Sequence, residues 1–239
     1  MAKVFVVPDV HLKPWMFEEA RAQLSALRCD RVVLLGDLVD DWFCEKDYGL
    51  YRETLKQAVK FIRDHDALFC YGNHDLSYKW EAEESGYSPS ARQVVLDGLS
   101  ELEDHVREEN LGYIHRIDNT LFSHGGLIAE FVDEYLGGEM EDLDEALWEI
   151  NQMSENELWQ NESPIWTRPQ DYEGYLNMYP EDLFQVVGHT PVPSPTRQGR
   201  LLTLDTFSTM PSGKPIGDQR FVIVDTVDGS WCYADEQTE

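Results

Sequence analysis

Five short strings rich in carboxylate, amide and imidazole groups lie between residues 9 and 190, each beside a strand-like run. They are Asp9-Val10-His11, Gly36-Asp37-Leu38-Val39-Asp40, Gly72-Asn73-His74-Asp75, Ser123-His124-Gly125-Gly126 and Gly188-His189-Thr190. Such groups act together only if the fold carries them to one place. Splitting the 239 residues into independent domains would separate them, so a single domain over 1–239 is expected, and its 42% hydrophobic content supports a sizeable core.

The runs that end at the strings are β-branched or leucine-rich: Lys3–Val7, Arg31–Leu35, Ala67–Tyr71 and Leu183–Val187. They read as buried strands feeding functional loops. Helical spacing appears between them over Phe17–Leu27 and Tyr51–Arg63, the latter with Leu55, Ala58, Val59 and Ile62 on one face. From Tyr113 onward the pattern changes. Tyr113–Ile117 and Leu121–Ser123 flank Asp118-Asn119 as a hairpin, and Leu201–Leu204, Phe221–Val224 and Trp231–Tyr233 add strands. The class is therefore α/β with parallel and antiparallel pairing mixed. Two acidic helical insertions, near 77–110 and 128–179, stand outside this pattern. The second carries Glu130, Asp133, Glu134, Glu139, Glu141, Asp142, Asp144 and Glu145. Solvated helix faces are the expectation, and the functional alternative is that they roof the site and select the substrate.

Charge narrows the partners. Forty-six acidic against nineteen basic residues give a formal charge of −27, which disfavours long nucleic acids and anionic membrane surfaces. The apolar run near Met1 is short for a signal peptide core, and no segment approaches the roughly 18 to 20 apolar residues of a membrane span. A soluble cytoplasmic protein is expected. Cys29, Cys44, Cys70 and Cys232 show no metal-ligand spacing and are expected to be reduced and mostly buried.

The strings suit a dinuclear metal site. Two divalent ions about 3.5 to 4 Å apart suit in-line phosphoryl displacement and need one bridging carboxylate. Asp37, presented after the small Gly36, is the natural bridge. Asp9 and His11, at alternate positions, can grip one ion. Asn73 offers a neutral oxygen, and His124 and His189 offer imidazoles to the second ion. Mixed nitrogen and oxygen donors favour Mn, Fe, Zn or Co over Ca or Mg. The remaining histidines, His65, His105 and His115, read as ordinary surface residues.

The order D-x-H, G-D-x-x-D, G-N-H-[D/E], H, G-H resembles the calcineurin-like metallophosphoesterase superfamily over most of the chain. Ser123 to Leu127, Gly36 to Asp40 and Gly188 to Pro191 look most like its bacterial and phage serine/threonine phosphoprotein phosphatase branch, which includes diadenosine tetraphosphate hydrolases. The resemblance implies a four-layer sandwich of two mixed sheets flanked by helices. It implies two divalent transition metal ions, Mn first and Fe, Zn, Co or Ni as alternatives. Asp9, His11 and Asp37 would hold one ion, and Asp37, Asn73, His124 and His189 the other, with hydrolysis by a metal-bridging hydroxide. His74 would contact the substrate phosphate and protonate the leaving group, oriented by Asp40, and an imidazolium beside a carboxylate suits that task near neutral pH. Asn73 would also touch phosphate.

Protein phosphatases of this branch continue G-D-x-V-D with Arg-Gly, whereas here Asp41-Trp42 follows Asp40, replacing a bidentate cationic clamp with an acid. Gly-Asp-Leu-x-x-x-Trp also occurs in branches that cleave pyrophosphate bonds of nucleotide-linked substrates. Ser163 to Pro169 resembles a Trp-x-Arg segment supplying another phosphate-binding arginine, here Arg168. The leading expectation is a phosphomonoesterase acting on a phosphopeptide or small phosphorylated molecule. A dinucleoside polyphosphate or other nucleotide pyrophosphate hydrolase is the alternative, and a non-catalytic phosphoesterase-fold binding module is the reading from another class. The oligomeric state is left open.

Overall fold

A computed structural model describes residues 2–138, 142–171 and 178–237. Glu139 and Glu141, read as part of the second acidic insertion, lie outside the described residues, as does 172–177 of that insertion.

Two mixed sheets form the centre. In the first, the order is β11 (Trp231–Tyr233), β10 (Val222–Asp225), β1 (Lys3–Val7), β2 (Arg31–Leu34), β3 (Leu68–Cys70) and β4 (Leu111–Gly112). β1, β2, β3 and β4 run parallel, and β10 joins β1 antiparallel with Phe5 opposite Ile223. The second sheet has the order β5 (Ile114–Ile117), β6 (Thr120–Ser123), β7 (Phe184–Pro191), β9 (Leu201–Asp205) and β8 (Thr196–Gln198). The β5–β6 hairpin pairs Ile117 with Thr120, as Asp118-Asn119 predicts.

Side-chain alternation divides the apolar residues between layers. Val4, Val6, Val33, Leu35 and Cys70 of the first sheet meet Phe122, Val186, Leu202 and Leu204 of the second, forming the core between the sheets. Phe5, Val7, Val32, Leu34 and Phe69 face the other way, into a second core with the helices. α1 (Trp15–Ala26) contributes Met16 and Phe17, α2 (Tyr48–His65) contributes Leu55, Ala58, Val59 and Ile62, and α4 (Arg92–His105) contributes Val95, Leu99 and Leu102. Full burial of side chains like these stabilises by about 1.5 to 3 kcal/mol each. α3 (Asn73–Trp80) starts at the third motif string. α5 (Ala129–Tyr135), α6 (Leu143–Gln152) and α7 (Glu155–Leu158) lie in the second insertion. α4 belongs to the packed helical layer: a Cβ on Gly98 would come within 2.6 Å of Leu55.

Two sequence expectations are corrected. His115 is buried, not a surface residue, because β5 turns it toward the first sheet, where its Nε2–H donates to the Phe69 carbonyl at 3.1 Å. Of the free thiols, Cys70 alone among the described residues is fully buried, and Cys29, Cys44 and Cys232 are intermediate.

Burial pushes the His115 imidazole down to about 4. Its neutral form is therefore the one the fold accommodates. Below pH ~6.5 the unfolded chain takes up a proton that the folded chain refuses, so this group's stabilising contribution is lost as pH falls from ~6.5 toward ~4. Chelator-treated protein and its His115→Gln variant, unfolded in urea at pH 7 and pH 5, should differ in their stability loss by about 2 kcal/mol, the wild type losing more. Equal losses would mean that His115 titrates normally.

Candidate metal centre and active site

All five strings meet at one edge of the two sheets. Asp9 and His11 follow β1, Asp37 and Asp40 follow β2, Asn73 and His74 open α3 after β3, His124 follows β6, and His189 lies within β7, where its pairing with β9 shifts register. Four of these residues take left-handed backbone: His11 at φ 42°, Asp37 at 48°, Asp40 at 64° and His189 at 63°. Such conformations cost of order 1 to 3 kcal/mol each and persist only where surrounding bonds enforce them. The enforcing bonds are present. The N–H groups of Val10 and His11 donate to the Asp37 carbonyl, at 3.0 and 2.8 Å. The Asp75 carboxylate accepts from the N–H groups of Asp37 and Leu38 at 2.9 Å and Gly72 at 3.0 Å.

Hydrogen bonds to carbonyls fix the imidazole tautomers, since the nitrogen facing a carbonyl must carry the proton. His11 Nδ1 faces the Asp40 carbonyl at 2.9 Å, His124 Nδ1 the Leu35 carbonyl at 2.7 Å, and His189 Nε2 the Trp166 carbonyl at 3.0 Å. The opposite nitrogens are left to the site. His124 Nε2 lies 3.2 Å from Asp37 Oδ2 and 3.0 Å from Asn73 Oδ1, and His11 Nε2 lies 3.7 Å from Asp37 Oδ2. Asp9 is fully buried; its Oδ1 accepts the His189 N–H at 2.8 Å, while Oδ2 has no hydrogen-bond partner. Asp37, His124 and His189 form one potential cation-binding group, and His11, Asp37 and His74 another. Buried lone pairs converging with an orphaned carboxylate oxygen fit divalent cations. The imidazole and carboxylate charges adjust accordingly. Burial and then Asp205 hold the Asp9 carboxyl well above the usual range. Burial would raise Asp37 also, but His124 and His74 outweigh it and hold it well below the usual range. Against burial, Asp37 lifts His124 to about 9.

Beside this cluster, His74 Nδ1 lies 3.1 Å from Asp40 Oδ2, and the other Asp40 oxygen accepts hydroxyls from Tyr51 at 2.7 Å and Tyr78 at 2.5 Å. Despite burial, Asp37 and the hydrogen bond to Asp40 hold the His74 imidazole well above its ordinary value. Arg168 reaches the same cleft, with Nη1 donating to the His189 carbonyl at 2.6 Å and to Thr190 Oγ1 at 3.0 Å. Asp41, standing where Arg would be expected, is not a bare charge. The buried Lys13 Nζ donates to it and to the His11 carbonyl, each at 3.0 Å. The cleft encloses ≈ 420 Å³, with Trp42, Glu45, Trp166 and Ile216 among its walls.

Sequence reasoning left several contributors without a role. Tyr51, Tyr78, Lys13 and Glu84 act through space and have no local signature. Asp75 was visible within its string but unassigned. Asp205, buried and bonded to Ser208 at the end of β9, lines the cleft and obeys the same strand-end rule that found the others. Of the first insertion, Glu84, Ser85 and Gly86 reach the cleft.

The family model for calcineurin-like phosphoesterases matches residues 2–221. A UDP-2,3-diacylglucosamine hydrolase of Blochmanniella pennsylvanica (strain BPEN) is 30% identical over 80 residues, spanning 30% of this chain and about a third (32%) of that protein. The cold-active protein-tyrosine phosphatase of a psychrophile, Shewanella sp., superposes over 98% of this chain and 80% of its own, with TM-score 0.56 and 17% identity. The protein TT1561 of Thermus thermophilus covers 97% of both chains at TM-score 0.50 and 11% identity. These structural likenesses show a shared fold.

Packing at Gly188 gives a test of the donor set. A Cβ there would lie 2.2 Å from Asp9 Oδ2, so Gly188→Ala must displace that oxygen. Calorimetric titration with Mn²⁺ should show affinity at one site lowered by about 10- to 100-fold, with the far-ultraviolet circular dichroism spectrum retained. Unchanged affinity would remove Asp9 Oδ2 from the donors.

Proposed function

The chain belongs to the calcineurin-like phosphoesterase family, and on that premise we propose that it is a metal-dependent phosphomonoesterase acting on a phosphoprotein or a small phosphorylated molecule. The reading takes residues 1–239 as one metallophosphoesterase domain. Asp9, His11 and Asp37 hold one divalent ion, and Asp37, Asn73, His124 and His189 hold the other. When bound, the ions supply Lewis acidity for water activation and offset the charge of the transferring phosphoryl group. Mixed imidazole and oxygen donors suit Mn, Fe, Zn or Co without choosing among them, and the family resemblance puts Mn first, with Fe, Zn, Co or Ni as alternatives.

The single observation that carries the reading is the polarised histidine beside the donor cluster. His74 has its Nδ1 held by Asp40, which two tyrosine hydroxyls hold in turn, so its Nε2 is free to serve the cleft. A positively charged imidazole so placed binds a phosphoryl oxygen and delivers a proton to the leaving oxygen, and Asp40 keeps the ring in that orientation. Arg168 is anchored through one nitrogen to the strand carrying His189, so its remaining N–H groups can bind phosphate oxygens.

A second reading has its own support. The UDP-2,3-diacylglucosamine hydrolase is named for a nucleotide-linked substrate, and the Asp41–Lys13 pair removes the arginine clamp of the protein phosphatases. Hydrolysis of a nucleotide pyrophosphate bond by the same residues is therefore the alternative.

Mn²⁺-loaded protein should release phosphate from p-nitrophenyl phosphate, and chelation should abolish this. His74→Ala should lower kcat by about 100-fold or more with metal content unchanged. A diadenosine polyphosphate or UDP-sugar cleaved much faster, with nucleotide products, would favour the second reading. If Asp37→Asn keeps both ions and full activity, the shared-carboxylate assignment fails.

A further inference from the structure

Glu84 belongs to the connection between α3 and α4, yet its side chain is only 9% exposed and both its oxygens face the site. Oε2 accepts from Asn73 Nδ2 at 2.9 Å, and Oε1 lies 2.8 Å from His74 Nδ1. We propose that Glu84 is a positioning residue that sets the Asn73 amide and the His74 ring together, joining the metal-holding half of the site to its proton-donating half. The proposal deepens the functional reading above and rests on it for the role of His74.

The two ends of an asparagine amide have nearly the same shape and opposite polarity. With Nδ2 given to Glu84, Oδ1 is the end that meets His124 Nε2 at 3.0 Å. Turned over, the amide would present N–H groups to the buried donors and repel a cation. A carboxylate enforces the first orientation because it can only accept. The second oxygen acts on His74 differently. The Nδ1–H is aligned with Asp40 Oδ2 at 3.1 Å, while Glu84 Oε1 receives no aligned hydrogen and meets the ring as a charge. Two carboxylates thus hold one edge of the imidazole, and Nε2 is left toward the cleft.

The surrounding chain keeps Glu84 in place. Gly86, at φ 99°, passes so close that a Cβ would lie 3.2 Å from His74 Cε1 and 3.4 Å from Asp40 Cβ. Just beyond it, the Ser88 N–H donates to the Tyr78 hydroxyl at 2.8 Å, and that hydroxyl donates to Asp40. The connection is therefore fastened to the network that holds the imidazole. A buried carboxylate with one unaligned oxygen is poor stabilising material by itself, which argues for a role in the site.

Glu84→Gln tests the assignment, because a glutamine cannot accept at both positions. Calorimetry with Mn²⁺ should show one site weakened by about 10- to 100-fold, and p-nitrophenyl phosphate kinetics should show kcat reduced about tenfold or more with KM within about twofold. The metal loss should vanish in an Asn73→Ala background and the kcat loss in a His74→Ala background, as coupled pairs require. Wild-type metal affinity and kcat in Glu84→Gln, or losses undiminished in both backgrounds, would overturn the proposal. If that variant does not fold, Glu84→Asp, charged but too short to reach both partners, is read by the same criteria. Absence of metal-dependent hydrolysis in the wild type would instead sink the functional reading, and the affinity cycle with Asn73→Ala would still decide whether Glu84 sets that amide.

Discussion

The Asp75 carboxylate is the fastening on which the site depends. Three backbone N–H groups, from Asp37, Leu38 and Gly72, converge on it in a fully buried position. Burial and then Asp37 push its carboxyl up to about 7, with the N–H bonds to Gly72 and Leu38 opposing that rise. This one group ties the loop after β2 to the loop after β3, and so fixes Asp37, Asn73 and His74 relative to one another. Close backbone approach is part of the same arrangement, since a Cβ on Gly72 would lie 2.1 Å from Asp37 Oδ1.

A second set of bonds joins the sheets where their loops meet. The Asp9 carboxylate receives the His189 N–H, and His124 donates to the Leu35 carbonyl. Each links a loop residue of the first sheet to the second sheet, in one case to strand β7 and in the other to the loop after β6. The apolar faces between the sheets bring the two halves together, but apolar packing is non-directional. These polar bonds supply the register at the site. Left-handed backbone at His11, Asp37, Asp40 and His189 is tolerable because aspartate and histidine accept it more readily than bulky residues, and because bonded neighbours leave little alternative.

Much of this was legible in the sequence, for reasons that differ by residue. Apolar runs located β1 over its full length and β2 and β3 closely, because strands covered on both faces lack polar interruptions, whereas β7 continues past the expected end at Val187 through Gly188-His189-Thr190 to Pro191. The metal-donor candidates were legible because chemically unusual strings sat at the ends of those runs. His115 misled because its polar neighbours suggest a surface strand, whereas the relevant contact is with Phe69 on the other sheet. Lys13 was equally hidden: its pairing with Asp41 crosses from the loop after β1 to the loop after β2. Tyr51 and Tyr78 look like core aromatics in helices, and nothing local reveals that their hydroxyls share Asp40. Glu84 lay among other acidic residues, and only the path of the chain through Gly86 sets it apart.

The pairing of β1 with β10 has a consequence for synthesis. β1 leaves the ribosome long before β10, yet the two are direct neighbours in the first sheet. Until β10 arrives, one edge of β1 presents unpaired N–H and C=O groups beside an apolar face. The nascent chain therefore carries a sticky edge for as long as the segments between the two strands are being made, an interval in which pairing with other chains competes with folding.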